Sequence, residues 1–203
     1  MYARIVDDID AKGGAPLRNE ALAGLAGRVV EVGAGTGVNF AHYPSGVTEV
    51  VAVEPEPYLR RLATEAAARA PVPVTVVDGH AERLPLEDAS CDAGVASLVL
   101  CSVPDQPAAL AELRRVIRPR GQLRFFEHVR SDRFGFALFQ RALDVVWPLA
   151  AGGCHLSRHT LEAIEAAGFD VEGVRRFEFR PSLTTAPASP HIIGVANRRA
   201  ESG

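Results

Sequence analysis

A β-branched run over residues 28–32 breaks abruptly into Gly33-Ala34-Gly35-Thr36-Gly37. Few segments constrain a fold as strongly. The run reads as a buried strand. The glycines read as a turn whose backbone can tighten and let a ligand approach without side-chain obstruction. A helix opening at Val38 and stopping near Pro44 is expected to follow.

The rest of the chain keeps that rhythm. A short helix is predicted over residues 17–25. Further strands are predicted over 48–53, 72–77, 93–100 and 122–129, and helices over 58–70 and 108–117. Another helix, capped by Ser157, runs through Ala167. Alternating strands and helices imply a parallel sheet covered on both faces. The ending departs from this pattern. Strands at 171–180 and 191–197 are joined without a helix through a segment carrying Pro181, Pro187 and Pro190. A hairpin follows, so the last strand should run antiparallel. The expected fold is α/β and Rossmann-like, with a mostly parallel seven-stranded sheet, an antiparallel last strand and helices on both faces. The 203 residues suit one domain, 1–203, carrying an aromatic helical insertion at about 134–151.

Composition narrows the function. A net charge of −3 attracts no polyanion, so nucleic acid is not an expected partner. Three cysteines without a Cys-x-x-Cys pair argue against a disulfide framework and a structural zinc site. The N-terminus carries Asp7, Asp8 and Asp10 where a signal peptide would be basic and then apolar. No apolar run approaches the ~20 residues of a membrane span. A cytoplasmic protein without an integral membrane segment is expected. The sequence carries no signal of oligomeric state.

The chemistry around the glycines sharpens the ligand. Val38 stands where a dinucleotide fingerprint has its third glycine, and no Gly-Lys-Ser/Thr follows. Glu31 at the loop suits a cation better than a pyrophosphate. Glu54-Pro55 closes the next strand, where an acid can accept from both ribose hydroxyls. The third strand leads to Asp78, Gly79, His80 and Ala81, and the fourth to Ser97 and Leu98. These segments meet outside the carboxyl ends of the strands, where ligands lie in such sheets. S-adenosylmethionine has an ammonium and a sulfonium and no phosphate. It is the expected cofactor, with S-adenosylhomocysteine as product. Its expected contacts are Glu31, Gly33, Ala34, Gly35, Thr36, Gly37, Asn39, Glu54, Pro55, Gly79, His80, Ala81, Ser97 and Leu98.

Across nearly its whole length the chain resembles class I methyltransferases. Residues 31–37 look like their first motif and Glu54 like their ribose acid. Residues 81–85 resemble the stretch beside the adenine in the ubiquinone and menaquinone methyltransferase-like group. Arg118-Pro119-Arg120-Gly121 resembles the turn before their fifth strand. His80 departs from the Asp usual there, so Asp78, neutral His80 or backbone must accept from the adenine amino group. In the second half, Cys101-Ser102-Val103, Glu127-His128-Val129, Trp147, Gly153-Cys154-His155 and Pro190-His191-Ile192 occur in order. Together they resemble the methyltransferase-like 7 family, the animal thiol S-methyltransferases. The chain looks like a soluble, bacterial-type relative without that family's N-terminal anchor. The resemblance implies methyl transfer to a small apolar acceptor, first of all a thiol. A phospholipid amine, a quinol carbon and a non-catalytic cofactor-binding domain are the alternatives.

The donor is already activated, so the protein mainly aligns acceptor and methyl and removes a proton where needed. Glu127 and His128 follow the fifth strand, and alternation sends them to opposite faces. Both are catalytic candidates, His128 first as general base or orienting group, unless one of the two only ties down the insertion by hydrogen bonding. Phe134, Phe136, Phe139, Leu143, Val146 and Trp147 form a stripe. It reads by default as core, otherwise as a lid or as a peripheral membrane-docking face. His155 and His159 have helix-pair spacing, but Ser157 between them should cap the helix, so no metal is expected. Cys154 lines the pocket, His191 starts the last strand and either reaches that pocket or stays at the surface, and Arg158 pairs with an acceptor anion or a neighbouring acid. Cys91 and Cys101 read as structural.

Overall fold

The structure, a computed structural model, describes residues 10–200. The N-terminal acids behind the targeting argument lie largely outside them. The elements are α1 (Ala15–Leu22), β1 (Gly27–Val32), β2 (Val47–Val53), α2 (Pro57–Ala67), β3 (Val74–Val77), β4 (Cys91–Ser97) and α3 (Gln106–Val116). Then come β5 (Ile117–His128), α4 (Phe134–Leu143), α5 (Trp147–Ala150), α6 (Thr160–Ala166), β6 (Phe169–Glu178) and β7 (Pro190–Arg198). The seven strands form one sheet in the order β3-β2-β1-β4-β5-β7-β6. β3, β2, β1, β4 and β5 pair in parallel, and β7 runs antiparallel to both β5 and β6. Mutual antiparallel pairing with β7 leaves β6 pointing with the first five, as the helix-free ending predicts.

β1 shows why the sheet is buried on both faces. Val30 and Val32 join a core with Leu113, Ile117 and Phe125, while Val29 joins a second core with Leu22, Phe40 and Val50. Successive strand residues point to opposite faces, so the valines of this strand feed both layers. Local chemistry sets the helix starts. Glu56 accepts from the Leu59 N–H at 2.7 Å and Asp105 from the Ala108 N–H at 3.0 Å, each just before a proline that suits the first helical turn.

Four local expectations change. No α-helix follows the glycines, only a 3-10 turn at Phe40–His42. Gly35 and Gly37 hold left-handed φ values of 58° and 80°, and Asn39 is drawn inward by its side chain. α3 ends at Val116, before the Pro119 turn, which becomes a bulge between the Cys91↔Ile117 and Ala93↔Gln122 pairs. The insertion is two short helices, because the Asp144 carboxylate between them turns inward to accept from the Leu156 N–H at 2.6 Å and from Ser157 Oγ. Ser157 is thereby occupied and does not cap α6, which starts at Thr160. Among the described residues, no helix is long and apolar enough to cross a membrane.

Candidate active site

The glycine loop is clamped from behind. Glu31, at 2% exposure, accepts from Asn39 Nδ2 at 2.7 Å and from the Tyr43 hydroxyl at 2.8 Å. Asn39 Oδ1 in turn accepts from Arg18 at 2.8 Å. Burial raises the Glu31 carboxyl to about 7, although its hydrogen bonds and Arg18 pull the other way. Glu31 therefore faces the protein interior. The sequence expectation of a carboxylate open at the loop mouth is corrected on this point. Asn39 likewise serves the clamp.

The outer face of the loop is where a ligand fits. Gly35 donates its N–H to Glu54 at 2.8 Å, and Glu56 donates its N–H to the other Glu54 oxygen at 3.0 Å. A Cβ on Gly35 would meet nothing within 4 Å, whereas one on Gly33 would lie 2.2 Å from a Val99 methyl. The Thr36 hydroxyl is buried with no hydrogen-bond partner. An open glycine, an orphaned hydroxyl and an acid at the end of β2 fit the methionine and ribose parts of S-adenosylmethionine. Burial also raises the Glu54 carboxyl.

The expected adenine side is less open. Asp78 pairs with Arg60 at 3.0 Å, and Arg60 also donates to the Glu54 and Pro55 carbonyls at 2.8 and 2.9 Å. This arginine brace joining the ends of β2 and β3 had no signal in the sequence. Ala81 packs into the core, Gly79 backs onto Val53 and Pro85, and the His80 side chain is exposed.

Across the sheet, a second carboxylate holds the turn after β4. Glu127 is 0% exposed and accepts from the N–H groups of Val99, Leu100 and Cys101 at 2.9, 2.9 and 3.4 Å. Burial raises it to about 7. Its expected catalytic role is corrected: both oxygens are spent on backbone, and Glu127 positions the turn. Leu98 begins that turn at φ 56°, its N–H bonded to the Phe126 carbonyl at 2.7 Å, while Ser97 accepts from Arg18 at 3.4 Å. Arg158 donates to the Leu100 and Val103 carbonyls of the same turn. It braces the loop rather than meeting an acid or an acceptor anion.

His128, on the alternate face, places Nε2 2.7 Å from Cys154 Sγ, while its Nδ1 is buried without a partner. Cys101 lies beside them, and the donor atoms of Cys101, His128 and Cys154 all fall within 4.8 Å of one another. A hydrogen bond from Cys101 and the imidazole hold the Cys154 thiol well below its usual range. Cys101 is pushed well above it by the same neighbour and by burial. This is also the donor set of a thiophilic cation. It comes from the turn after β4, the end of β5 and the loop before α6, which sequence spacing cannot reveal, and it makes Cys101 more than the structural residue expected. His155 and His159 stand apart, facing Asp144 at 3.7 Å and Glu162 at 3.1 Å. His191 bonds the Ser189 carbonyl through Nδ1 at 2.8 Å and is lowered to about 4 by burial among Phe126, Phe177 and Phe179. Its ring meets that of His128 edge-on at 6.2 Å. Cys91 is buried at the far end of β4.

The aromatic insertion departs in part from the core expectation, with Phe136, Leu143 and Trp147 half-buried and the rest of the stripe open. Phe134 is 82% and Leu149 88% exposed, with Phe139 and Val146 also open to solvent. α4 is fastened instead by Gln140, which accepts from the Ser131 N–H at 2.7 Å and donates to the Pro187 carbonyl at 3.0 Å.

This fold and cofactor face define a class I S-adenosylmethionine-dependent methyltransferase. The family model "Methyltransferase domain" matches residues 30–125. A structure of a SAM-dependent methyltransferase from Methanosarcina mazei superposes with a TM-score of 0.68 at 19% identity, over 86% of this chain and 93% of that one. Thiol S-methyltransferase TMT1B of Rattus norvegicus is 37% identical over 83% of this chain and 69% of its own length. The Homo sapiens protein of that name is 36% identical over 86% of this chain and 73% of its own. The chain belongs to this thiol S-methyltransferase family. S-adenosylmethionine is its cofactor and S-adenosylhomocysteine the product.

Proposed function

We propose that the chain methylates a small apolar thiol, with His128 taking the thiol proton. The observation that carries this reading is Cys154 Sγ at 2.7 Å from His128 Nε2. The imidazole lies within hydrogen-bond reach of one sulfur, and an acceptor thiol entering beside Cys154 meets the same ring. Bound S-adenosylmethionine supplies an electrophilic methyl on its sulfonium. The chain's part is to hold the cofactor loop through Glu31, Gly35 and Glu54 and to keep the turn after β4 fixed through Glu127. A free thiol's pKa of about 8.5 means that only a modest shift of the thiol is needed. The names of the relatives at 36–37% identity support the same acceptor class. Three free thiols suit a reducing, cytoplasmic setting.

The test is S-adenosylhomocysteine formation from S-adenosylmethionine and a small alkyl thiol, expected to saturate in thiol. His128→Gln should lower kcat/KM by roughly 10²–10⁴ near neutral pH. The loss should shrink at high pH, where the acceptor ionises unaided. No turnover, with cofactor binding confirmed by calorimetry, would remove the thiol acceptor. The exposed Phe134, Phe139 and Leu149 favour a second reading, a lipid-borne amine or quinol acceptor met at a membrane surface. Failure of the protein to float with phospholipid vesicles would remove it.

A further inference from the structure

We infer that Cys154 and Cys101 form a dithiol–disulfide exchange site for small disulfides, Cys154 attacking and Cys101 resolving. Three structural features carry this. The two sulfurs and His128 Nε2 lie within 4.8 Å of one another. The His155 N–H donates to the Cys101 carbonyl at 2.8 Å, which sets residues 101 and 154 side by side on neighbouring segments of backbone. Cys154 is partly exposed while Cys101 is only 2% exposed, so an incoming disulfide meets Cys154 first. The lowered Cys154 thiol and raised Cys101 thiol agree with that division of labour. Cys91, buried at the amino end of β4, does not compete.

The cluster fits exchange better than metal binding. Two ligands of one tetrahedral zinc, at about 2.0 Å for nitrogen and 2.3 Å for sulfur, lie about 3.5 Å apart. Nε2 and Cys154 Sγ are 2.7 Å apart, closer than a shared ion allows. A metal-bound histidine also hands its second nitrogen to a partner, and His128 Nδ1 has none.

The steps balance. His128 takes the Cys154 proton, the Cys154 thiolate attacks one sulfur of R–S–S–R, the disulfide bond breaks, and the leaving thiolate takes that proton back from His128. Neutral His128 then accepts the Cys101 proton, and the Cys101 thiolate attacks Cys154 Sγ. The second R–S⁻ leaves with that proton. Two electrons pass from the cysteine pair to R–S–S–R, giving two thiols and a Cys101–Cys154 disulfide, which an external dithiol reduces again. If the chain also methylates thiols, which rests on the function proposed above, each turn would release an acceptor beside the methyl donor.

The experiment uses the reduced full chain with diethyl disulfide and no S-adenosylmethionine, so its outcome is independent of methyl transfer. Acid-quenched peptide mapping should find residues 101 and 154 joined within one chain and Cys91 free. Cys101→Ser should stop at an ethyl mixed disulfide on Cys154, and Cys154→Ser should leave Cys101 unreacted. At pH 6, Cys154 should react about 10-fold faster than a free alkyl thiol, most of the gain being lost in His128→Gln. Thermal melting checks that each variant is folded. A Cys154 no faster than the free thiol, or a disulfide only between chains, would overturn the inference. So would one equivalent of Zn²⁺ shielding both thiols against a chelator, which would make the cluster a metal site.

Discussion

Two turns at the carboxyl edge of the sheet are held from behind by buried carboxylates, but with different donors. Glu31 grips the glycine loop through two side chains, Asn39 and Tyr43. Glu127 grips the turn after β4 through three backbone N–H groups. A side-chain donor can rotate away and find another partner when a ligand arrives. A backbone donor cannot, short of unravelling the turn. The glycine loop is therefore built to adjust and the turn after β4 to stay fixed; if the proposed acceptor lies at that turn, this suits an in-line transfer in which small misplacements are costly.

The strongest way to break this contrast is to remove each carboxylate. Glu127→Ala orphans three buried amides at ~1–3 kcal/mol each, partly relieved by water entry, so a loss on the order of 3–5 kcal/mol is expected. At roughly 2–4 °C per kcal/mol for a chain of this size, the melting temperature should fall by about 6–20 °C. Glu31→Ala should cost less, about 1–3 kcal/mol, since Asn39 and Tyr43 can repack. Its larger effect should be on cofactor affinity. Urea unfolding of both variants decides the matter, and equal losses would erase the distinction.

The same contrast explains what the sequence discloses. The glycine loop is legible because its backbone demands select residue types, and Glu54 because a strand end fixes its place. The antiparallel ending is legible because no helix separates the last two strands. Glu127 reads as one more acid beside a histidine, because its partners are backbone groups 26 to 28 residues away and carry no side-chain signature. The Cys101–His128–Cys154 cluster is hidden for the same reason, being assembled by two loops and a strand end. The resemblance names all three residues and cannot bring them together. The insertion misleads more actively. Its apolar stripe mimics a core face, while a single inward acid, Asp144, breaks the helix and turns much of that stripe outward.

Two glycines sharpen the comparison within the cofactor loop itself. Gly33→Ala drives a Cβ to 2.2 Å from a Val99 methyl at a φ of 62°. It should cost about 2–3 kcal/mol, seen in the unfolding midpoint. Gly35→Leu meets open space at a φ of 58°. It should cost only the left-handed strain of about 1–2 kcal/mol, yet abolish S-adenosylmethionine binding by calorimetry. Unchanged affinity in Gly35→Leu would show that the ligand does not lie over this loop.

A smaller effect comes from pH. Glu127 is raised to about 7 in the folded chain from an ordinary 4.5. Between those values the folded state binds the extra proton, so this group's contribution to stability falls as pH rises. His191, lowered to about 4 from 6.5, works in the opposite direction. There the unfolded state binds the proton, and stability is lost as pH falls from 6.5 toward 4. Glu127→Gln removes the first effect and leaves the second. Its stability curve should climb relative to the parent by on the order of 1 kcal/mol per pH unit between pH 5 and 7. Parallel curves would mean that Glu127 is ionised in the fold throughout.

The smallest effect is the most informative about the insertion. Leu149 and Phe134 project from α5 and α4 at 88% and 82% exposure. A side chain this open gives up little on folding, so Leu149→Ser or Phe134→Ser should change stability by less than about 0.5 kcal/mol. A buried leucine cut back in the same way would cost about 2–5 kcal/mol. A loss of that larger size would mean that the segment is covered in solution, by lipid carried through purification or by a second copy. Repeating the melt in detergent and across protein concentrations separates those two. A null result in stability, paired with a raised KM for long-chain thiols and an unchanged KM for short ones, would instead place these side chains along the route of the acceptor. The acceptor side would then combine a fixed backbone turn beneath with an adaptable apolar edge above, while the cofactor loop is adjustable from its clamp outward.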